Sequence, residues 1–286
     1  MKRAHIRKLA AVTVLVVTVT VFVVYFAKHP EVGQQLANTS LGVIAAILSL
    51  YLLAIAALSL VTYSTVRLCK VTMGKPETLL LTAYSAVINF FGPLQSGPAF
   101  RAVYLKQKHR VNLKNYGLAT LMYYFFWGGF SGLLLLSGVL KLWLIPLALC
   151  GLLVGVIILK SRRFGPRLQQ LDLRGWYYLA IATLLQVAVV TVIYYVELVS
   201  VAPGTSFGQA VIYAGAANLA LFVSITPGAI GFRESFLLFS QNLHHISPDT
   251  IVAANILDRA MYVILLLILA TFIFGSHAQR SLKLKA

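Results

Sequence analysis

Carboxylates are scarce in this chain: seven Asp and Glu among 286 residues, against 24 Lys and Arg. Paired-carboxylate catalysis and carboxylate-rich metal sites therefore have little to draw on. Charge of either sign is also scarce, at 11% of residues, where a soluble globular domain carries about 25%. That excludes a soluble enzyme, a disordered tail and a solvated nucleic-acid-binding face. Cysteine is limited to Cys69 and Cys150, without metal-ligand or redox spacing, so neither a disulfide nor a metal centre is expected. The pair His244-His245 has no Cys or suitably spaced carboxylate nearby and reads as an interfacial loop. No P-loop, GxSxG, HExxH or heptad array occurs, so neither a cofactor nor a catalytic role is expected.

What the chain does have is apolar surface, with 59% hydrophobic residues and a mean hydropathy of +0.85. It reads as an integral membrane protein. Six stretches match the roughly 20 apolar residues that a spanning helix needs: Leu9–Ala27, Leu41–Val66, Tyr116–Leu140, Leu142–Leu159, Trp176–Val199 and Ile251–Phe274. The first follows a basic amino terminus, but Phe26-Ala27-Lys28-His29-Pro30 lacks a small-x-small cleavage site, so it reads as a retained helix rather than a signal peptide.

Basic residues fall in clusters at the amino terminus, Arg67–Lys75, Arg101–Lys114, Lys160–Arg174 and Arg280–Lys285, whereas His29–Ser40 and Ser200–Ser206 contain none. Lys and Arg concentrate in cytoplasmic loops, which places both termini inside and suits a prokaryotic inner membrane. Two further apolar regions, Thr78–Ala99 and Phe207–Gln241, are broken by Gly and Pro. The first lies between two basic clusters, so it must enter and leave on the cytoplasmic side, turning near Gly92-Pro93-Leu94-Gln95-Ser96-Gly97-Pro98. The second must dip from the outside, because Pro203-Gly204 ends one helix there and Ser247-Pro248-Asp249 caps the start of the last.

The expected fold is therefore an all-α polytopic membrane protein with six spanning helices and two opposed re-entrant helical hairpins. Opposed broken helices are the signature of an inverted-repeat transporter with a midplane site. The chain divides as one transmembrane domain over 1–286: a first helix and outer loop at 1–40, a first half at 41–159 with its hairpin at 77–100, and a second half at 160–286 with its hairpin at 207–243. Asn89 precedes the first break and Arg101 follows it; Asn218 and Arg233 bracket the second in the same way.

Charged residues within the membrane are costly and mark candidate sites. Arg101, Arg233, Glu234, Asp258 and Arg259 stand out, with Arg233–Asp258 and Glu234–Arg259 as candidate neutral pairs. Such pairs either line a cavity or only lock the last helix against the hairpin. An arginine excess near two helix breaks, where free N–H groups gather, suits a phosphate or carboxylate. Asn89, Gln95, Ser96, Asn218, Ser224, Thr226 and Asn255 supply neutral hydrogen bonds, either to a headgroup or between helices. Gly128/Gly132 and Gly151/Gly155 read as small-residue helix packing, and Tyr123, Tyr124, Trp127, Trp143, Trp176, Tyr177 and Tyr178 as an interfacial aromatic belt.

Two segments carry a resemblance. Asn89-Phe-Phe-Gly-Pro93-Leu-Gln-Ser-Gly97-Pro-Ala-Phe-Arg101 and Thr226-Pro227-Gly228-Ala229-Ile230-Gly231-Phe232-Arg233-Glu234 resemble the signatures of the flippase-like transmembrane region of bacterial lysylphosphatidylglycerol synthases. Asp258-Arg259 resembles a third, weaker signature, and the likeness runs from about Leu41 to Phe274. The resemblance implies moving or binding of membrane lipid, with Arg101, Arg233, Glu234 and Arg259 as matching positions beside Gly97, Pro227, Gly228 and Gly231. Pro98 stands where the first signature commonly has Glu. With about a dozen residues after the last helix, the soluble synthase domain is not expected here. The expected function is a lipid translocase, of flippase or scramblase type, for an anionic phospholipid or polyprenyl phosphate. The alternatives are a secondary transporter of a small soluble anion, or a non-transporting partner that presents lipid to a membrane enzyme.

Overall fold

The computed structural model describes residue 30 and residues 37–91, 96–138, 173–223 and 232–283. The expected helices at 9–27 and 142–159, the first hairpin tip at 92–95 and the second break at 226–231 lie outside the described residues. The elements are α1 (Leu41–Leu68), α2 (Lys75–Phe91), α3 (Ser96–His109), α4 (Leu113–Leu136), α5 (Leu173–Val201), α6 (Phe207–Val223), α7 (Phe232–Phe239), α8 (Gln241–His244) and α9 (Pro248–Lys283).

Among the described residues, α1, α4, α5 and the Pro248–Ile273 part of α9 are long and apolar enough to cross a membrane. Helices α2 and α6, with 17 residues each, and α3 with 14, are shorter. Local chemistry sets the ends. Ser40 Oγ accepts from the Val43 N–H at 3.4 Å to start α1, and Asn112 Oδ1 accepts from the Lys114 N–H at 2.9 Å to start α4. Ser247 caps α9 in the same way, with Pro248 in the first helical position as the sequence predicts. Arg110 ends α3 in the left-handed region, φ 54°, and the Val111 N–H reaches back to the Leu105 carbonyl at 3.3 Å.

The burial pattern is inverted relative to a soluble bundle. On α1, Leu52, Leu53 and Leu60 face outward while Thr62, Ser64 and Thr65 are buried. On α5, Tyr177, Tyr178, Ile181, Leu184 and Leu185 face outward while Thr183, Gln186, Thr191 and Glu197 are buried. An exterior of this kind suits a hydrocarbon solvent, where polar groups must find partners inside the protein. Buried Thr side chains do so along their own helices, as Thr62, Thr65, Thr183 and Thr191 each donate to the carbonyl one turn back.

Helix α1 packs along α5, and α4 along α6. Helices α2 and α3 fold back on one another, as do α6 and α7. The first of these contacts is close: a Cβ on Gly97 would lie 2.7 Å from the Ser85 carbonyl oxygen. Asn89 Oδ1 accepts from the Gly97 N–H at 3.2 Å and Ser96 Oγ donates to the Ile88 carbonyl at 2.9 Å. At the open end of this hairpin, Glu77 accepts from Tyr104 Oη, His109 Nε2 and Lys108 Nζ at 2.7, 2.7 and 2.8 Å. Partial burial would raise the Glu77 carboxyl, but these three donors outweigh it and hold it at about 2.

The small-residue reading needs correction. Gly132 has open space where a Cβ would stand, and Gly128 meets only the Phe222 ring, whereas a Cβ on Gly215 would lie 2.3 Å from the Leu135 backbone nitrogen. The close α4–α6 crossing therefore depends on Gly215. Gly151 and Gly155 lie outside the described residues.

Candidate functional site

A cavity of about 280 Å³ lies among the helices. Six of the residues singled out from the sequence line it: Asn89 on α2, Arg101 on α3, Asn218 on α6, Arg233 on α7, and Asp258 and Arg259 on α9. Glu234 reaches it indirectly by pairing with Arg259. Gly97 belongs to the α2–α3 contact instead, and its neighbour Pro98 lines the cavity. Pro227, Gly228 and Gly231, with Gln95, Ser224 and Thr226, lie outside the described residues.

Both anticipated ion pairs form. Arg233 Nη1 donates to Asp258 Oδ2 at 2.5 Å, and Arg259 donates to Glu234. Asp258 is doubly engaged, because Tyr51 on α1 donates to its other oxygen. The Arg233 guanidinium also sits over the Tyr194 ring, 5.0 Å from its centroid. Its Nε and Nη2 are buried without a hydrogen-bond partner.

Arg101 differs. It is only 6% exposed, and among the described residues no carboxylate pairs with it. Its Nη1 donates to Thr62 Oγ1 at 2.8 Å, while Nε has no partner. The hydroxyl is neutral and already donates to the Leu58 carbonyl at 2.9 Å, so it fixes the guanidinium without cancelling its charge. A buried cation lacking a counter-charge costs several kcal/mol unless an anion joins it.

Aromatic and amide side chains complete the lining. Tyr123, Tyr124, Trp127 and Phe222 line the cavity with Gln186 and Asn218. Tyr123 Oη donates to Gln186 Oε1 at 3.3 Å. This corrects the belt assignment: Tyr123 and Trp127 are buried cavity residues and Trp176 is core, whereas Tyr177 and Tyr178 do face outward. Tyr123 and Trp127 lie midway along α4 (Leu113–Leu136) rather than at its end, and which side of so uniformly apolar a helix is buried cannot be read from spacing. Asn218 is fully buried, and neither its Nδ2 nor its Oδ1 has a partner. Asn255, by contrast, donates to its own helix at Ile251, as helix–helix polar residues often do.

One ionisable residue escaped the sequence reading. Glu197 lies near the end of α5, 1% exposed, beside Asp258, Arg233 and Tyr51. The signal was present, since a carboxylate within an apolar 29-residue helix is itself a candidate.

Among the described residues, no three His, Cys, Asp or Glu side chains gather as a metal site. The cavity instead combines a committed ion pair, a second pair at its edge, and a guanidinium and an amide with unused hydrogen-bonding capacity. Residues 9–270 match the family described as the lysylphosphatidylglycerol synthase TM region. The chain belongs to this family. No curated protein matches it. As a member of the lysylphosphatidylglycerol synthase TM family it is a multi-pass membrane protein related to lipid chemistry, and the matched segment contains every charged residue that lines the cavity.

Proposed function

We propose that the protein is a lipid translocase of flippase or scramblase type, which holds an anionic lipid headgroup in this cavity. The single observation that carries the reading is Arg101, a buried, fixed guanidinium with no carboxylate of its own among the described residues, facing the cavity that Arg233 and Arg259 also line. Arg233 and Arg259 already have acidic partners. The headgroup phosphate of a phospholipid or polyprenyl phosphate supplies the missing negative charge, and Asn218 offers a donor and an acceptor to the rest of the headgroup. The chain acts as a transporter, without a catalytic step of its own. In this reading the α2–α3 and α6–α7 hairpins enter from opposite faces of the inner membrane and belong to an inverted repeat of six spans, with both termini cytoplasmic.

The test is mass spectrometry of lipids retained by the detergent-purified protein, with Arg101→Gln and Arg101→Lys beside the parent. One anionic lipid is expected to be enriched by the parent. A charge-assisted hydrogen bond contributes about 1.5–3 kcal/mol, so Arg101→Gln is expected to lose retention by about 10- to 100-fold while Arg101→Lys keeps part of it. Equal retention by all three proteins, each correctly folded, overturns the reading. Arg233→Ala is a poorer probe, because it strips Asp258 of its partner at the same time.

A further inference from the structure

We infer that Glu197 holds one exchangeable proton beside Tyr51, and that loading it readies the cavity for an anion, so that headgroup binding takes up a proton. The inference rests on the headgroup reading above and adds what drives it.

Three observations place the proton. Glu197 is 1% exposed and its Oε1 has no hydrogen-bond partner, an arrangement that a bare carboxylate does not sustain away from water. The donors beside it are committed elsewhere: Arg233 Nη1 is on Asp258 Oδ2 at 2.5 Å, and the Tyr51 hydroxyl is on Asp258 Oδ1. Tyr51 also neighbours Glu197, so rotation of one hydroxyl connects the two carboxyl groups. Glu197 itself is set behind the cavity wall, while Tyr51, Tyr194, Arg233 and Asp258 all line the cavity and give the proton its way in.

The groups that face Glu197 are few. Helix α1 brings Tyr51, α7 brings Arg233, α9 brings Asp258, α5 itself brings Tyr194 and α6 brings Tyr213. Helix α4 carries one charged residue, Lys114, at its opposite end. Around the cavity, three guanidinium groups (Arg101, Arg233, Arg259) therefore face three carboxyl groups (Glu197, Glu234, Asp258). Fully ionised, this set carries no net charge among the described residues, so an anion is drawn only by the local field of Arg101. One proton on Glu197 leaves a single positive charge, which matches one phosphodiester. The step is acid–base only: a proton from the buffer, relayed through cavity water, bonds to a carboxylate oxygen of Glu197 and leaves no hydroxide behind. Reciprocity then requires that the anion strengthen proton binding as much as the proton strengthens anion binding.

The experiment is calorimetric titration of the full-length protein in detergent with dioctanoyl phosphatidylglycerol, in two buffers of different ionisation enthalpy, between about pH 6 and pH 8. A phosphodiester keeps its single charge throughout, so any pH dependence arises in the protein. The parent is expected to bind more tightly at the acid end, with a slope of up to about tenfold per pH unit for one linked proton, and to take up a proton on binding. Glu197→Gln is expected to bind as the parent does at the acid end, with no slope and no uptake. Infrared difference spectra over the same pH range read the proton without ligand, as a protonated-carboxyl band present in the parent and missing from Glu197→Gln. Binding by the parent without proton uptake, or an unchanged slope in Glu197→Gln, overturns the coupling and leaves the headgroup site standing. Absence of lipid binding by the parent at every pH overturns both.

Discussion

Asp258 is the residue on which the site's internal balance depends. It accepts from Arg233 with one oxygen and from Tyr51 with the other, joining α9 to α7 and α1. Removing one member of a buried ion pair leaves the other charge uncompensated and costs about 3–5 kcal/mol, far more than a pair's net contribution. Asp258→Ala is therefore expected to lower the thermal unfolding temperature sharply. Asp258→Leu combined with Arg233→Met is expected to recover most of that loss, because no orphan charge remains. A double variant as unstable as Asp258→Ala contradicts this account. At this scale the sequence was informative about charge and poor about aromatics. Arg101, Arg233, Asp258 and Arg259 were legible because a guanidinium or carboxylate in an apolar run is costly without a purpose. Glu197 carries the same signal, but no basic residue or helix break adjoins it in sequence. Tyr123 and Trp127 were misassigned because burial of one face of a helix depends on partners that sequence does not display.

At the scale of elements, breaks and caps were readable while crossings were not. The starts of α1, α4, α5 and α9 lie within three residues of the expected spans, with Ser, Asn and Pro setting those of α1, α4 and α9, whereas α9 runs on to Lys283, nine residues past the expected Phe274. Helix α3 was less well anticipated. Its basic stretch looked like loop, yet the helix runs through His109, with Arg101 buried on one side and Lys106 exposed on another. A polar helix of this kind has no hydrophobic stripe to betray it; its basic residues other than Arg101 lie in the last turn, where they complement the carbonyl end of the helix. The α4–α6 crossing gives a sharp prediction. Gly215→Ala places a methyl group 2.3 Å from the Leu135 nitrogen and 2.7 Å from the Ser131 oxygen, backbone atoms that cannot step aside. Overpacking of this kind costs about 1–3 kcal/mol. Gly132→Ala, in open space, is expected to be neutral or to gain up to about 1 kcal/mol from helix propensity. Thermal unfolding of the two variants side by side checks this, and a tolerated Gly215→Ala shows that the two helices are not held at that distance.

For the whole molecule, an inward-turned polar surface and an outward leucine surface follow directly from composition. In the proposed topology the basic clusters set the orientation, and the α2–α3 hairpin opens toward the cytoplasm. Lys106 is exposed near the end of α3. In a protein whose Cys69 and Cys150 are replaced by Ser, Lys106→Cys is expected to resist a membrane-impermeant thiol reagent in intact cells and to react after permeabilisation. Labelling in intact cells contradicts the proposed topology. The long-range partnerships in the cavity could not be read at this scale, because Tyr51 and Asp258 are separated by 207 positions and nothing local announces their meeting.

That separation bears on how the protein is made. Arg233 and Glu234 leave the ribosome 25 residues ahead of Asp258 and Arg259, the partners that neutralise them. Until α9 is threaded into the bilayer, the nascent chain carries a bare cation and a bare anion in α7. The last helix thus completes the assembly: the contacts that close the cavity also neutralise α7, and a chain cut short before residue 258 is expected to insert α7 poorly and to be short-lived.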